Sequence, residues 1–263
     1  MNNQIREIIR EKEGDPDQCL TELLEDDDRS REELIEDLQH SAGAKIRQEV
    51  SSLYTTLEIV NKNYQMLKKG SGYHQDKTSE LWMTGNRDRL ETFQREYLRL
   101  LHNYSASVYS LERQTYTILD RYEDEKPGLK EQYFQEIRDR GLDTEVDLVK
   151  QLRHYTQKRE LPPLASSMHG KKTEEGTFET EYKLILEKEE MMDWDEWNSD
   201  VRERLEAMDE RIDITNLASE FQEKLNGFYD WFNMFVLRMF YNEVKQHMVA
   251  IHRLEKESGS TDH

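Results

Sequence analysis

The sequence predicts an all-α protein: an elongated antiparallel helical bundle with two long heptad-patterned helices and a minor β segment near 177–187. Hydrophobic and charged residues each make up 35% of the chain. This balance suits long helices that bury one apolar stripe and expose the rest to water. Only 4 prolines and 11 glycines interrupt the 263 residues, fewer turn signals than a strand-rich fold needs. The third observation is a sustained heptad periodicity.

Two segments carry apolar residues at alternating spacings of four and three, which is the pattern of a heptad seam. The first seam comprises Ile46, Val50, Leu53, Leu57, Val60, Tyr64 and Leu67. The second comprises Tyr97, Leu101, Tyr104, Val108, Leu111, Ile118 and Tyr122, with Thr115 in one position. The stretch KKGSGYH predicts the end of the first helix, because lysines and then glycines are typical of helix ends. A new helix is expected to begin in DKTSELWM, and the two long helices should pack antiparallel.

Turn-forming residues and runs of charge divide the remaining chain into segments. Residues 1–28 are acidic and fit either a flexible arm or a docked helix pair. We expect one helical domain over 29–256 and a disordered tail over 257–263. Within the domain the sequence predicts a short helix over 129–140, a polar loop over 164–176 and one long helix over 214–253. Residues 177–187 alternate like a strand, although part of the pattern also fits a helix.

Net charge and cysteine content limit the classes of partner and compartment. A net charge of −19 repels nucleic acid at long range, so an RNA-binding face would have to be a local basic patch. Cys19 is the single cysteine, which excludes an intrachain disulfide and fits a reducing cytosol. The N-terminal residues lack the apolar core of a secretory signal, and the most apolar run, 228–241, is too short and polar to span a bilayer. We therefore expect a cytoplasmic protein without membrane contact.

The usual metal and cofactor motifs are absent from the sequence. No histidine follows a glutamate by three residues, and there is no zinc signature, phosphate-binding glycine loop or dinucleotide fingerprint. Cys19 lies in an acidic segment, which disfavours a thiolate nucleophile. His247 and His252 are expected to be surface or capping residues near a helix end. The sequence thus predicts neither a metal site nor a small-molecule cofactor.

One stretch, LRHYTQKRELPP at 152–163, resembles a known catalytic signature. It places Arg153 and a polar residue, His154, on the last turns of a helix that Pro162 and Pro163 should end. This arrangement resembles the motif of the HEPN superfamily, which are small helical bundles, many of them RNases of toxin–antitoxin and anti-phage systems. In that family a histidine separated from the arginine by four to six intervening residues takes the 2′-hydroxyl proton of RNA. The arginine stabilises the charge on the phosphate, and two such faces meet across a dimer.

The histidine of that motif does not match here. The corresponding positions hold Lys158, Arg159 and Glu160, and a lysine is a poor general base near neutral pH. His154, adjacent to Arg153, points about 100° away on a helix. The catalytic candidates are therefore Arg153, His154 and Lys158, and the candidates for RNA or phosphate binding are Arg153, Lys158 and Arg159. A second arginine–histidine pair, Arg95 and His102, falls in the second seam and fits a chance match.

These residues lead to three hypotheses about function. The first is a HEPN-like, non-catalytic module that binds RNA or a cognate protein partner, as a homodimer, in a toxin–antitoxin or defence system. The second is a structural or oligomerising helical scaffold without an active site. The third is an active, metal-independent RNase that uses Arg153 with His154 or Lys158.

Overall fold

The computed structural model describes residues 1–25, 27, 29–76, 81, 85–158, 162–172 and 178–259. Most of them are helical, and a small antiparallel sheet of three strands accompanies the helices, which confirms the predicted fold class. In chain order the elements are α1 Asn2–Glu13, α2 Pro16–Glu25, α3 Arg31–His40, α4 Ala42–Gln75, α5 Arg87–Tyr122, α6 Leu129–Asp139, α7 Asp143–Lys158, β1 Leu164–Lys172, β2 Phe178–Glu187, α8 Lys188–Met192, α9 Ser199–Glu206, β3 Arg211–Asp213, α10 Ile214–Met239 and α11 Tyr241–Gly259.

The chain forms two compact units that interleave along the sequence. The first unit contains 1–55, 122–127 and 229–263, and the second contains 56–121 and 128–228. The unit boundaries therefore fall within α4, at the end of α5, just before α6 and within α10. The first residues of the predicted disordered tail, 257–259, belong to α11. Residues 260–263 lie outside the described residues.

The two predicted seams are confirmed as buried stripes of α4 and α5. Every seam residue of both helices is less than one tenth exposed, including Thr115. Within the second unit the helices run antiparallel, since hydrogen bonds join Thr56 to Gln114 at one end and Ser71 to Tyr97 at the other. The heptad spacing keeps one stripe of each helix facing its partner along this whole length.

Helices α7 and α10 complete a bundle around α4 and α5 in the second unit. The hydroxyl of Tyr104 donates to Gln222 of α10 at 2.8 Å, and Lys150 of α7 donates to Glu112 of α5 at 3.0 Å. Tyr97 and Tyr104 of the second seam thus place their rings in the core, while Ser71 and Gln222 satisfy their hydroxyl groups. The exposed face of α7, which carries the candidate residues, is supported by this core.

The predicted end of the first long helix is wrong, because α4 continues through Gly70 and Gly72 to Gln75. The side chains around the glycines hold the helix. The ring of Tyr97 lies against Gly70, and the hydroxyl of Ser71 meets that of Tyr97 at 2.8 Å. Tertiary packing therefore outweighs the local preference of glycine for a helix end. Most of the predicted restart, at 77–80 and 82–84, lies outside the described residues.

The minor β segment is confirmed as β2, but its partner was not expected. The predicted polar loop over 164–176 is wrong for its first part, because β1 pairs antiparallel with β2 from Leu164 opposite Leu186 to Lys172 opposite Phe178. β3 pairs with the other edge of β2. Ala165, Gly170 and Lys171 belong to residue types that are depleted in strands, so the strand depends on a neighbour that periodicity does not show. Residues 173–177 lie outside the described residues.

The predicted single helix over 214–253 is two helices with a break at Phe240. The hydrogen-bond ladder is kept across the break, from Phe240 to Val236 at 3.1 Å and from Val244 to Phe240 at 3.0 Å. Phe240 is 1% exposed, and its ring packs on Tyr122 with centroids 4.9 Å apart. In the first unit α1, α2 and α3 pack on α11, and α1 buries Ile5, Ile8 and Ile9.

Candidate nucleic-acid interface

The segment with the degenerate motif is the C-terminal half of α7. The buried face of this helix consists of Val146, Leu148, Val149, Leu152 and Tyr155. The ring of Tyr155 stacks on Trp197 at a centroid distance of 5.7 Å and meets Trp194 edge-on at 5.2 Å. This aromatic cluster anchors the last turns of α7. The neighbouring positions, Arg153 and His154, are half-buried at the edge of the core.

Arg153 is held by an aromatic ring instead of a carboxylate. Its guanidinium carbon lies 4.4 Å from the centroid of Tyr109, which extends from α5. Among the described residues Arg153 forms no ion pair with an acidic side chain. A guanidinium placed over a ring is held by cation–π attraction, which does not use up its N–H donors. The geometry therefore leaves Arg153 able to bind an anion.

His154 lies beside three cations, two of which pair with acids. Partial burial lowers the pKa of its imidazole, and the nearby charges of Arg153, Lys158 and Lys150 lower it further, while Glu196 acts in the opposite direction. At neutral pH the ring is therefore neutral and can exchange hydrogen bonds without adding a charge. Two of these cations pair with acids, Lys158 with Glu196 and Lys150 with Glu112 and Asp147. Arg153 is therefore the cation beside His154 that no described carboxylate balances.

Lys158 is engaged in an ion pair. Its Nζ donates to Oε2 of Glu196 at 2.6 Å, and both side chains are more than half exposed. An exposed pair of this kind contributes about 0–1 kcal/mol and can be exchanged for another anion. The third predicted phosphate ligand, Arg159, lies outside the described residues.

The structure adds three residues that sequence reasoning did not assign to the site. Tyr109 supports Arg153, as described above. The hydroxyl of Thr156 donates to the backbone carbonyl of Arg153 at 2.7 Å. Its oxygen therefore accepts from Nδ1 of His102, which lies 2.9 Å away on α5. His102, which the sequence presented as part of a chance pair with Arg95, thus contacts the turn that carries Arg153.

The arrangement favours anion binding over proton transfer. Lys158 stands where the resemblance would imply a histidine, and an ammonium group that donates to Glu196 has no lone pair to accept a proton. Within the described ranges no group of three histidine, cysteine or carboxylate side chains could hold a metal ion. None of the described helices is both long and apolar enough to cross a membrane.

Comparisons of the chain with models of protein families, with curated proteins and with solved structures found no match.

Proposed function

We propose that the protein is a HEPN-like, non-catalytic RNA-binding module whose interface is the exposed edge of α7. The observation that carries this proposal is the state of Arg153, which lies on Tyr109 and pairs with no described carboxylate. An arginine fixed in this way presents a planar fork that matches the oxygens of a phosphodiester. The resemblance of residues 152–163 to the HEPN motif is the second support, and it implies a homodimer in which two α7 faces meet.

The local charges explain why binding is proposed and cleavage is not. Arg153 pairs with no described carboxylate, and the exposed ion pair of Lys158 with Glu196 can be exchanged for a phosphate. These two cations can attract a phosphate backbone at short range despite the acidic chain. Cleavage would also need a general base within reach of the 2′-hydroxyl. The resemblance would place that base at position 158, where Lys158 forms an ion pair with Glu196.

The experiment measures binding of a fluorescent single-stranded RNA by anisotropy over a series of salt concentrations. We expect Arg153→Gln to weaken binding by roughly tenfold and to reduce the slope of log affinity against log salt by about 0.7, the value for one phosphate contact on a single strand. Glu196→Gln should strengthen binding, because it releases Lys158. The matched control is Arg138→Gln on α6, which removes the same charge from an exposed arginine outside α7.

Equal affinity of the wild type and Arg153→Gln would contradict the proposal and favour the scaffold hypothesis, for which the ring contact of Arg153 and the ion pair of Lys158 are purely structural. The same RNA is also run on a denaturing gel. Cleavage that is lost in Arg153→Ala would instead establish the RNase hypothesis.

A further inference from the structure

The first unit contains an arginine whose surroundings differ from those of its other cations. Nη1 of Arg47, on α4, lies 3.3 Å from Nε2 of His247, on α11. Among the described residues Arg47 forms no ion pair with a carboxylate. The other half-buried cations described in this unit each pair with an acid: Arg6 with Asp17, Arg29 with Asp27, Lys126 with Glu243, Lys245 with Glu13 and Arg253 with Asp27.

The contact with Arg47 fixes the chemical state of His247. A guanidinium has only donors, so Nε2 must accept and the ring proton must sit on Nδ1. The residue is 4% exposed, which corrects its expected place at the surface, and Nδ1 has no hydrogen-bond partner among the described residues. Burial, and then the charge of Arg47, lower the pKa of His247 to about 4, while Asp37 of α3 acts against them. A neutral histidine thus stands where a carboxylate would ordinarily balance an arginine.

Arg47 and His247 line an open depression of about 550 Å³. Its other lining residues are uncharged: Leu38, Gln39, Ala44, Gln48, Ser51, Ser52 and Thr55. Two further depressions of the same unit are each lined by at least one carboxylate, such as Asp27. In a chain of net charge −19, a cavity that combines a cation with hydroxyl and amide groups and no acid is suited to an anion.

We propose that this depression binds the phosphate group of a small phosphorylated molecule, with Arg47 as the charged ligand and His247 as its coupled partner. The guanidinium offers a bidentate fork, and the Ser51 and Thr55 hydroxyls lie one and two turns further along the same helix face. The volume falls within the roughly 300–1,000 Å³ of small-molecule sites. A bound dianion offsets the charge of Arg47, so protonation of His247 becomes easier when the ligand is present.

The test titrates the whole protein with inorganic phosphate at constant ionic strength, followed by calorimetry near neutral pH. We expect saturable binding by the wild type, at least a tenfold loss in Arg47→Gln, and a smaller loss in Arg47→Lys, which keeps the charge but not the fork. Lys45→Gln is the matched control, since it removes an exposed cation two positions away and should change the affinity by less than about twofold. Far-UV circular dichroism verifies that each variant is folded.

A second readout follows the imidazole of His247 by NMR. Saturating phosphate should raise its pKa by roughly one unit, and Arg47→Gln should raise it without phosphate, because a neighbouring cation is removed. Three results would overturn the proposal: no saturable binding, equal binding by Arg47→Gln, or acetate bound as tightly as phosphate. Arg153→Gln should leave phosphate binding unchanged, which separates this site from the proposed RNA interface.

Discussion

At the scale of single residues, burial and an acidic neighbour suppress the ionisation of the Cys19 thiol. Its Sγ donates to Glu13 at 2.9 Å, and Glu13 also accepts from Tyr241 at 2.5 Å and from Lys245 at 2.6 Å. Burial, and then the hydrogen bond and charge of Glu13, raise the pKa of the thiol to about 11. Burial first, and Glu13 second, therefore disfavour a Cys19 nucleophile.

We expect Cys19 to react with a disulfide reagent about a hundredfold more slowly at pH 8 than after unfolding in urea, because its thiolate fraction is that much smaller. Glu13→Gln should increase the native rate several-fold, since it removes the charge that opposes ionisation. Glu7→Gln, an exposed acid on the same helix, should leave the rate unchanged. Equal rates for the folded and unfolded wild type would contradict this account.

Only those residues of the candidate site that lie close together in the sequence could be predicted. The spacing of Arg153 from the prolines placed it correctly near the end of a helix. Tyr109 and His102, which contact α7, are distant in sequence, and no periodicity links them to Arg153. Arg47 and His247 are farther apart still. Their contact requires the packing of α4 on α11, which one sequence does not specify.

At the scale of elements, two of the glycines in α4, Gly43 and Gly72, have very different surroundings. A Cβ atom at Gly43 would lie 2.7 Å from the carbonyl carbon of Glu243 and 2.8 Å from Cβ of His247, so α4 and α11 approach closely there. Gly72 has nothing within 4 Å of such an atom. Glycine is unfavourable inside helices in general, and the difference between Gly43 and Gly72 comes from the neighbouring helix α11.

This pair gives a direct test of the close approach. Gly43→Ala should destabilise the protein by at least about 2 kcal/mol, because backbone atoms of α11 must move. Gly72→Ala should stabilise it by roughly 0.5–1 kcal/mol, the gain from replacing glycine in an exposed helix. The free energy of unfolding in urea checks both changes. A Gly43→Ala variant as stable as the wild type would show that the two helices do not meet at this point.

The elements that could be predicted are those whose signal repeats along the chain. The seams of α4 and α5 repeat an apolar residue over many turns, and the structure confirms them as buried. The break at Phe240 and the strand β1 have no such repeat. Strand β1 forms on the edge of β2, and Phe240 packs on Tyr122. Neither contact is visible in the local pattern, and for β1 local preference alone gives the wrong element.

At the scale of the whole molecule, stability should depend on two buried histidines, one in each unit. His74 is 0% exposed and His247 is 4% exposed. Burial lowers the pKa of His74 from 6.5 to about 4, and burial with Arg47 does the same for His247. Near pH 5 the unfolded chain binds protons at both sites while the folded chain binds almost none. Acidification therefore favours the unfolded state, and the loss begins near pH 6.5 and continues to about pH 4.

We expect each histidine to reduce the free energy of unfolding by about 2 kcal/mol between pH 7 and pH 5, from a shift of this size in its pKa. Urea unfolding at the two pH values measures the loss. His74→Asn and His247→Asn should each remove about half of the pH dependence contributed by the pair, whatever their effect on stability at pH 7, and the double variant should remove most of it. A steep pH dependence that survives in the double variant would assign acid sensitivity to the carboxylates instead. A folded state in which His74 titrates near 6.5 by NMR would show that its burial is not kept in solution.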